Sequence, residues 1–101
     1  VLIFKKNIMF KVNEYFDGKV KSIAFNSPEG PATIGVMEKG EYEFGTSTIE
    51  IMKVVSGKMK VRLPGNRCAK LYKDGDSFEV AKDVKFNVKV EEDSAYIYFY
   101  K

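Results

Sequence analysis

The chain has 101 residues, 45% of them hydrophobic and 31% charged, with a formal charge of +3, one cysteine and no histidine. That length supports one domain, since a second core needs roughly 50 further residues, and it buries enough surface to dispense with disulfide or metal staples. The missing histidine removes Ser-His-Asp and Cys-His catalysis and nearly all transition-metal centres, and the lone Cys68 cannot form an internal disulfide, which fits a reducing cytoplasm.

The opening segment Val1–Ile8 lacks the charged start, long apolar stretch and small-residue cleavage site of a signal peptide. Its Val1-Leu-Ile-Phe4 is a candidate edge strand, added to this subunit or a neighbouring one. No apolar run in the chain is long enough to span a membrane as a helix. From there the residues read as strands, with apolar and polar positions alternating between turn signals. In Lys19–Phe25, Lys19 and Lys21 share a face with Ile23 and Phe25, while Val20, Ser22 and Ala24 form the other. Lysines on an apolar face either snorkel to solvent or point into a polar pocket. Asn26–Pro31, with two prolines and a glycine, reads as a turn, and Ala32–Met37 runs on to Lys39-Gly40.

Glu41–Phe44 and Glu50–Val55 flank a short polar link, and Ser56-Gly57 makes the next turn. Glu50 shares a face with Met52 and Val54, and Ile51, Lys53 and Val55 form the other, so both faces are mostly apolar. One of them therefore lines the interior. A carboxylate there must be paired or hydrogen-bonded, or its pKa rises; the alternative is a rim glutamate at the first residue of its strand. Lys58–Leu63 alternates cleanly, with Met59, Val61 and Leu63 on one side. Pro64-Gly65-Asn66 and Lys73–Asp76 are further breaks. Val84, Phe86, Val88 and Val90 alternate with Lys85, Asn87 and Lys89, and Ala95–Tyr100 is aromatic and β-branched, as strands prefer. No helical period appears in any useful window. The pattern predicts an all-β domain, a sandwich or small closed barrel, with Met59, Val61, Leu63, Phe78, Val80, Phe86 and Val88 buried.

Several kinds of chemistry find no footing here. Cys68 is alone, the acids are scattered, and Asp74-Gly75-Asp76 lacks the downstream ligands of a calcium loop. No glycine-rich segment leads into a helix to hold phosphate. Only Arg62 and Arg67 supply guanidinium groups, and acids are interspersed with the lysines, a weak footprint for nucleic acid.

A set of short motifs nonetheless resembles one small bacterial family. Asn13-Glu-Tyr-Phe16, Gly18-Lys-Val-Lys-Ser-Ile23, Gly35-Val-Met37 and Gly40-Glu-Tyr42 with Phe44 and Thr46 come first. Glu50-x-Met52, Val55-Ser-Gly57, Leu63-Pro64, Tyr72, Gly75, Phe78 and Val80 follow in the same order. Together they are similar to the pyrimidine/purine nucleoside phosphorylases with a cupin fold, over Met9 to Lys101. The resemblance implies a single-domain cupin over 9–101, preceded by an extra segment 1–8 and assembled as a cytoplasmic homodimer. It also implies phosphorolysis of many nucleosides to free base and ribose 1-phosphate, with inorganic phosphate as co-substrate and no cofactor. If Met9 is the natural start, Lys5 and Lys6 drop out and the charge falls by two to +1. Glu50 lies seven residues before Gly57, as in the first cupin motif, while Phe44, Thr46 and Phe86 stand where metal-binding cupins carry histidines. Ala81-Lys82, Asp83 and Asn87 depart from the turn and small polar residues that relatives often show.

The implied reaction nominates residues. Cleaving an N-glycosidic bond passes through an oxocarbenium-like state with negative charge building on the base, and groups aimed at those charges accelerate it. Glu50 and Glu41 are the candidate acceptors for the sugar and its cationic centre. Lys21, Lys19 and Arg62 are the candidate phosphate cations. Tyr42, Phe44 and Met52 are candidate walls for the base, with Thr46 offering a hydroxyl. No metal site, nucleic acid or membrane partner is expected. The competing expectation is a cupin-like small-molecule binding or structural protein that keeps the pocket without turnover.

Overall fold

A computed structural model describes residues 10–101. Ten strands follow one another: β1 (Val12–Tyr15), β2 (Val20–Ser27), β3 (Gly30–Met37), β4 (Gly40–Gly45), β5 (Glu50–Ser56), β6 (Lys58–Arg62), β7 (Lys70–Lys73), β8 (Ser77–Val80), β9 (Lys85–Val90) and β10 (Ser94–Tyr100). They form a six-stranded sheet in the order β1-β2-β3-β10-β5-β8 and a four-stranded sheet in the order β4-β9-β6-β7. Every pairing is antiparallel. Among the described residues there is no helix, and so none long and apolar enough to cross a membrane. The expected edge strand over residues 1–8 lies outside the described residues.

The alternation seen in the sequence sets the two layers against each other. Met59 and Val61 from β6 and Phe86, Val88 and Val90 from β9 are buried and face Val20, Met37, Met52, Val54, Phe78 and Val80 from the other sheet. Leu63 is only half-buried, because β6 ends at Arg62 and the chain turns away there. Lys58, Lys60 and Arg62 face solvent, as the alternation requires.

Two expectations needed revision. The turn over Asn26–Pro31 is shorter than its prolines suggest: β2 and β3 stay paired through Asn26↔Pro31 and Ser27↔Gly30, leaving Pro28-Glu29 at the tip. Ser27 closes it, its hydroxyl donating to Gly30 O at 2.7 Å and accepting from Glu29 N at 3.1 Å. Pro31 is tolerated because the pairing of β3 with β10 begins only at Ala32↔Phe99, so no ladder donor is lost on that side. The second revision adds β1, β7 and β8 as strands, each four residues long; in β8 the alternating Phe78 and Val80 are buried as expected.

Candidate active site

A recess at one end of the barrel, about 130 Å³, is lined by Tyr15, Ser22, Thr33, Phe44, Gly45, Glu50, Tyr96, Tyr98 and Tyr100. Register explains the assembly. Glu50 pairs with Tyr100 across β5–β10 and Met52 with Tyr98; on the other side of β10, Tyr98 pairs with Thr33 and Tyr96 with Gly35. Inward residues of four adjacent strands thus bring five hydroxyls and one carboxyl to a common wall. Gly35 is obligatory in that wall, because a Cβ there would lie 2.8 Å from the Tyr96 hydroxyl and 2.6 Å from Lys21 O.

Glu50 is 7% exposed. Burial lifts its pKa from the ordinary 4.5 to about 7, with no neighbouring cation among the described residues to oppose the shift. The ion pairs formed among the described residues, Lys60–Glu91 and Lys101–Glu79, are on the surface. The tyrosines are held protonated. Burial raises all three, and the negative charge of Glu50 adds to the effect on Tyr98 and Tyr100. The Tyr100 hydroxyl is 3.0 Å from Thr33 Oγ1. Tyr98 is 6% exposed, and its buried hydroxyl has no hydrogen-bond partner among the described residues.

Aromatic rings frame the mouth. Tyr15 is half-exposed at the end of β1, and Phe44 reaches in from β4. Phe16 packs 4.9 Å from the Tyr42 ring and 5.7 Å from Phe44. It does so with φ at 54°, followed by Asp17 at 58°, a left-handed pair that is costly for a bulky side chain. The turn Tyr15–Gly18 therefore spends backbone energy to set Phe16 against the aromatic rim.

The residues nominated from sequence fall into three groups. Glu50 and Phe44 line the recess; Met52 is fully buried beneath it. Tyr42 is buried under Phe16 with its hydroxyl donating to Glu38 O, and the Thr46 hydroxyl donates to Ala81 O at 2.7 Å and accepts from Val84 N at 3.1 Å, bracing the loop before β9. Glu41, Lys19, Lys21 and Arg62 are exposed on outer faces. Glu41 stands opposite Lys89, the two lysines border a shallow hollow with Glu38 and Asp93, and Arg62 borders another with Lys85 and Asn87. Among the described residues, no lysine or arginine lines the Glu50 recess. Sequence reasoning passed over Tyr96, Tyr98 and Tyr100 as sites, although their spacing of two already set three hydroxyls on one face. Phe44 and Phe86, at the positions of metal-cupin histidines, are register partners with rings 5.9 Å apart. Among the described residues no cluster of three metal-capable side chains exists.

Two apposed antiparallel sheets closing on a recess of this kind are a cupin barrel, and the chain superposes on an RmlC-like cupin from Shewanella frigidimarina with a TM-score of 0.68 at 21% identity, over 97% of this chain and 88% of that one. A protein of unknown function from Vibrio parahaemolyticus matches more closely, with a TM-score of 0.85 at 39% identity over 89% of this chain and 96% of its own. Within the cupins, the chain belongs to the pyrimidine/purine nucleoside phosphorylase family, whose model matches residues 10–100. Relatives bearing that name in Pseudomonas putida strain W619 and Pseudomonas aeruginosa PAO1 are 60% and 58% identical over 93 residues, covering 92% of this chain and 99% and 100% of theirs.

Proposed function

We propose that this protein cleaves the N-glycosidic bond of purine and pyrimidine nucleosides by phosphorolysis, giving free base and ribose 1-phosphate. The observation that carries the reading is a buried carboxyl, Glu50, with no cation against it among the described residues, in a recess otherwise walled by hydroxyls and aromatic rings. In the reaction, a phosphate oxygen bonds to the anomeric carbon, and the carbon–nitrogen bond breaks with its electron pair leaving on the base. The base takes up a proton that phosphate gives up. The Glu50 carboxylate offsets the positive charge on the sugar as that bond stretches, a gain larger in the transition state than before it. Tyr15 and Phe44 offer the base a stacking surface, which tolerates any purine or pyrimidine because each has a π-face. Phosphate arrives from the open mouth. Lys85, the register partner of the lining residue Gly45, is the candidate cation for it, and Arg62 shares a separate hollow with Lys85. The exposed, free Cys68 fits action in the cytoplasm.

The absence of a lysine or arginine among the lining residues favours one other reading, a nucleoside-binding module without turnover. Measuring free base released from uridine and inosine, with and without phosphate, separates the two. Phosphorolysis requires release that depends on phosphate; a binding module gives none.

We further propose a homodimer formed through the outer face of the six-stranded sheet. Ile23, Ile34 and Ile97 are successive register partners there, and Val36 and Val55 flank them, all at least partly exposed. An apolar stripe across three strands, bordered by Lys21 and Lys53, is the kind of surface that a second copy covers. Ile34→Glu should convert the dimer to a folded monomer by light scattering; a wild-type monomer at micromolar concentration would contradict the assignment.

A further inference from the structure

Three tyrosines point inward along β10, and their hydroxyls are treated differently. Tyr100 is bonded to Thr33, and Tyr96 lies beside Ser22, whose hydroxyl opposes the rise in its pKa. Tyr98, between them, has its hydroxyl buried on the recess wall with no partner among the described residues. A buried hydroxyl without a partner is destabilising, and phenylalanine would fill the same space without that penalty. The orphan atom is therefore explained by something that enters the recess.

The position of Tyr98 says what that is. Tyr100 is directly opposite Glu50 and Tyr98 directly opposite Met52, so Tyr98 is the diagonal neighbour of Glu50 on one wall. The carboxyl of Glu50 and the hydroxyls of Tyr96, Tyr98 and Tyr100 belong to buried or half-buried residues of the recess wall, whereas the Tyr15 ring is half-exposed. With the base against Tyr15 and Phe44 at the mouth, the sugar occupies the deep part. We propose that Tyr98 is a specificity-determining residue whose hydroxyl donates to one hydroxyl of the sugar, which in turn donates to Glu50. This inference rests on the phosphorolysis reading above. The orphan phenol and the unpaired carboxyl are then satisfied by the same substrate atom. A substrate lacking it leaves both unpaired, the situation in which polar sites reject an analogue most strongly.

The test compares kcat/KM for uridine and its 2′-, 3′- and 5′-deoxy analogues, with phosphate, on the wild-type protein and on Tyr98→Phe. In the wild type, one analogue should be poorer than uridine by about tenfold or more. In Tyr98→Phe, uridine should fall to near the level of that analogue, the penalty for the analogue should shrink to about threefold or less, and the melting temperature should hold or rise. A merely structural tyrosine predicts a lower melting temperature and an equal loss on all four substrates. An unchanged ranking of the analogues in the variant, or an equal loss on all four, would overturn the inference while leaving phosphorolysis intact. Absence of phosphate-dependent release from uridine by the wild type would bring down both.

Discussion

The inner faces of the two sheets are built from the same alternation and do different work. On the two central strands of the four-stranded sheet the inward residues are apolar at every step: Met59 and Val61 on β6, then Phe86, Val88 and Val90 on β9. On the six-stranded sheet three strands change character along their length. Val54 and Met52 give way to Glu50 on β5, Met37 to Gly35 and Thr33 on β3, and Val20 to Ser22 on β2. The apolar ends of these strands complete the core with the opposite sheet, and the polar ends line a recess. The four-stranded sheet thus mainly insulates, lending Phe44 and Gly45 of β4 to the recess, while the other sheet carries its polar groups. The difference shows how a small barrel holds an acid inside: the carboxyl sits where apolar packing gives way to a polar wall.

Disturbing the insulating sheet should cost stability and leave the chemistry alone. Met59→Ala removes a fully buried side chain that is not among the lining residues, and a loss of about 2–5 kcal/mol in urea unfolding is expected. Turnover of the protein that remains folded should stay within about twofold of wild type at low temperature, where the loss of stability still leaves it native. A large fall in kcat would mean that the two faces are not separable.

The reverse change acts on the other sheet. Glu50→Gln should lower kcat by about ten- to a hundredfold, matching the ~1.5–3 kcal/mol of one charge-assisted hydrogen bond, with KM moving less. Its effect on stability has the opposite sign. The folded-state pKa of Glu50 is about 7 against an ordinary 4.5, so between those values the native protein holds a proton that the unfolded chain has lost. The stability linked to that proton is fully present below the ordinary value and is lost as pH rises through about 7. Glutamine cannot ionise, so the variant should melt with the wild type near pH 4.5 and above it at pH 8. A variant that melts lower than wild type at pH 8 would assign Glu50 a paired structural role instead.

The smallest effect is expected at Glu41. Exposed on the outer face opposite Lys89, it contributes at most a surface pair, about 0–1 kcal/mol. Glu41→Gln should leave kcat within about twofold of wild type, and a tenfold loss would move the candidate carboxylate out of the recess.

Much of this division could be read before any coordinates. The alternation in Lys58–Leu63 and Val84–Val90 specifies the apolar sheet, because each strand has one solvated face and period two leaves no choice of side. Glu50 stood out because both faces of its strand are mostly apolar, so a carboxylate on either is an anomaly. The tyrosines did not stand out, since Tyr-Ile-Tyr-Phe-Tyr is what a strand prefers in any case. Their role depends on register between strands more than forty residues apart, shifted by an irregularity between Ala95 and Tyr96, which no local pattern records. The lysines show the complementary difficulty. Lys19 and Lys21 share a face with apolar Ile23 and Phe25, and only the fold reveals that this face is the outer one.

The most direct measurement of the central claim is phosphorus NMR of the wild-type protein incubated with uridine and inorganic phosphate, alongside Glu50→Gln. The account predicts that the inorganic phosphate signal of the wild type is converted into that of a sugar 1-phosphate, in step with free uracil. In the variant the same signal should grow at least about tenfold more slowly, at equal folded concentration. Folded wild-type protein that forms no sugar phosphate from uridine or inosine, or a variant that forms it at the wild-type rate, would contradict the account.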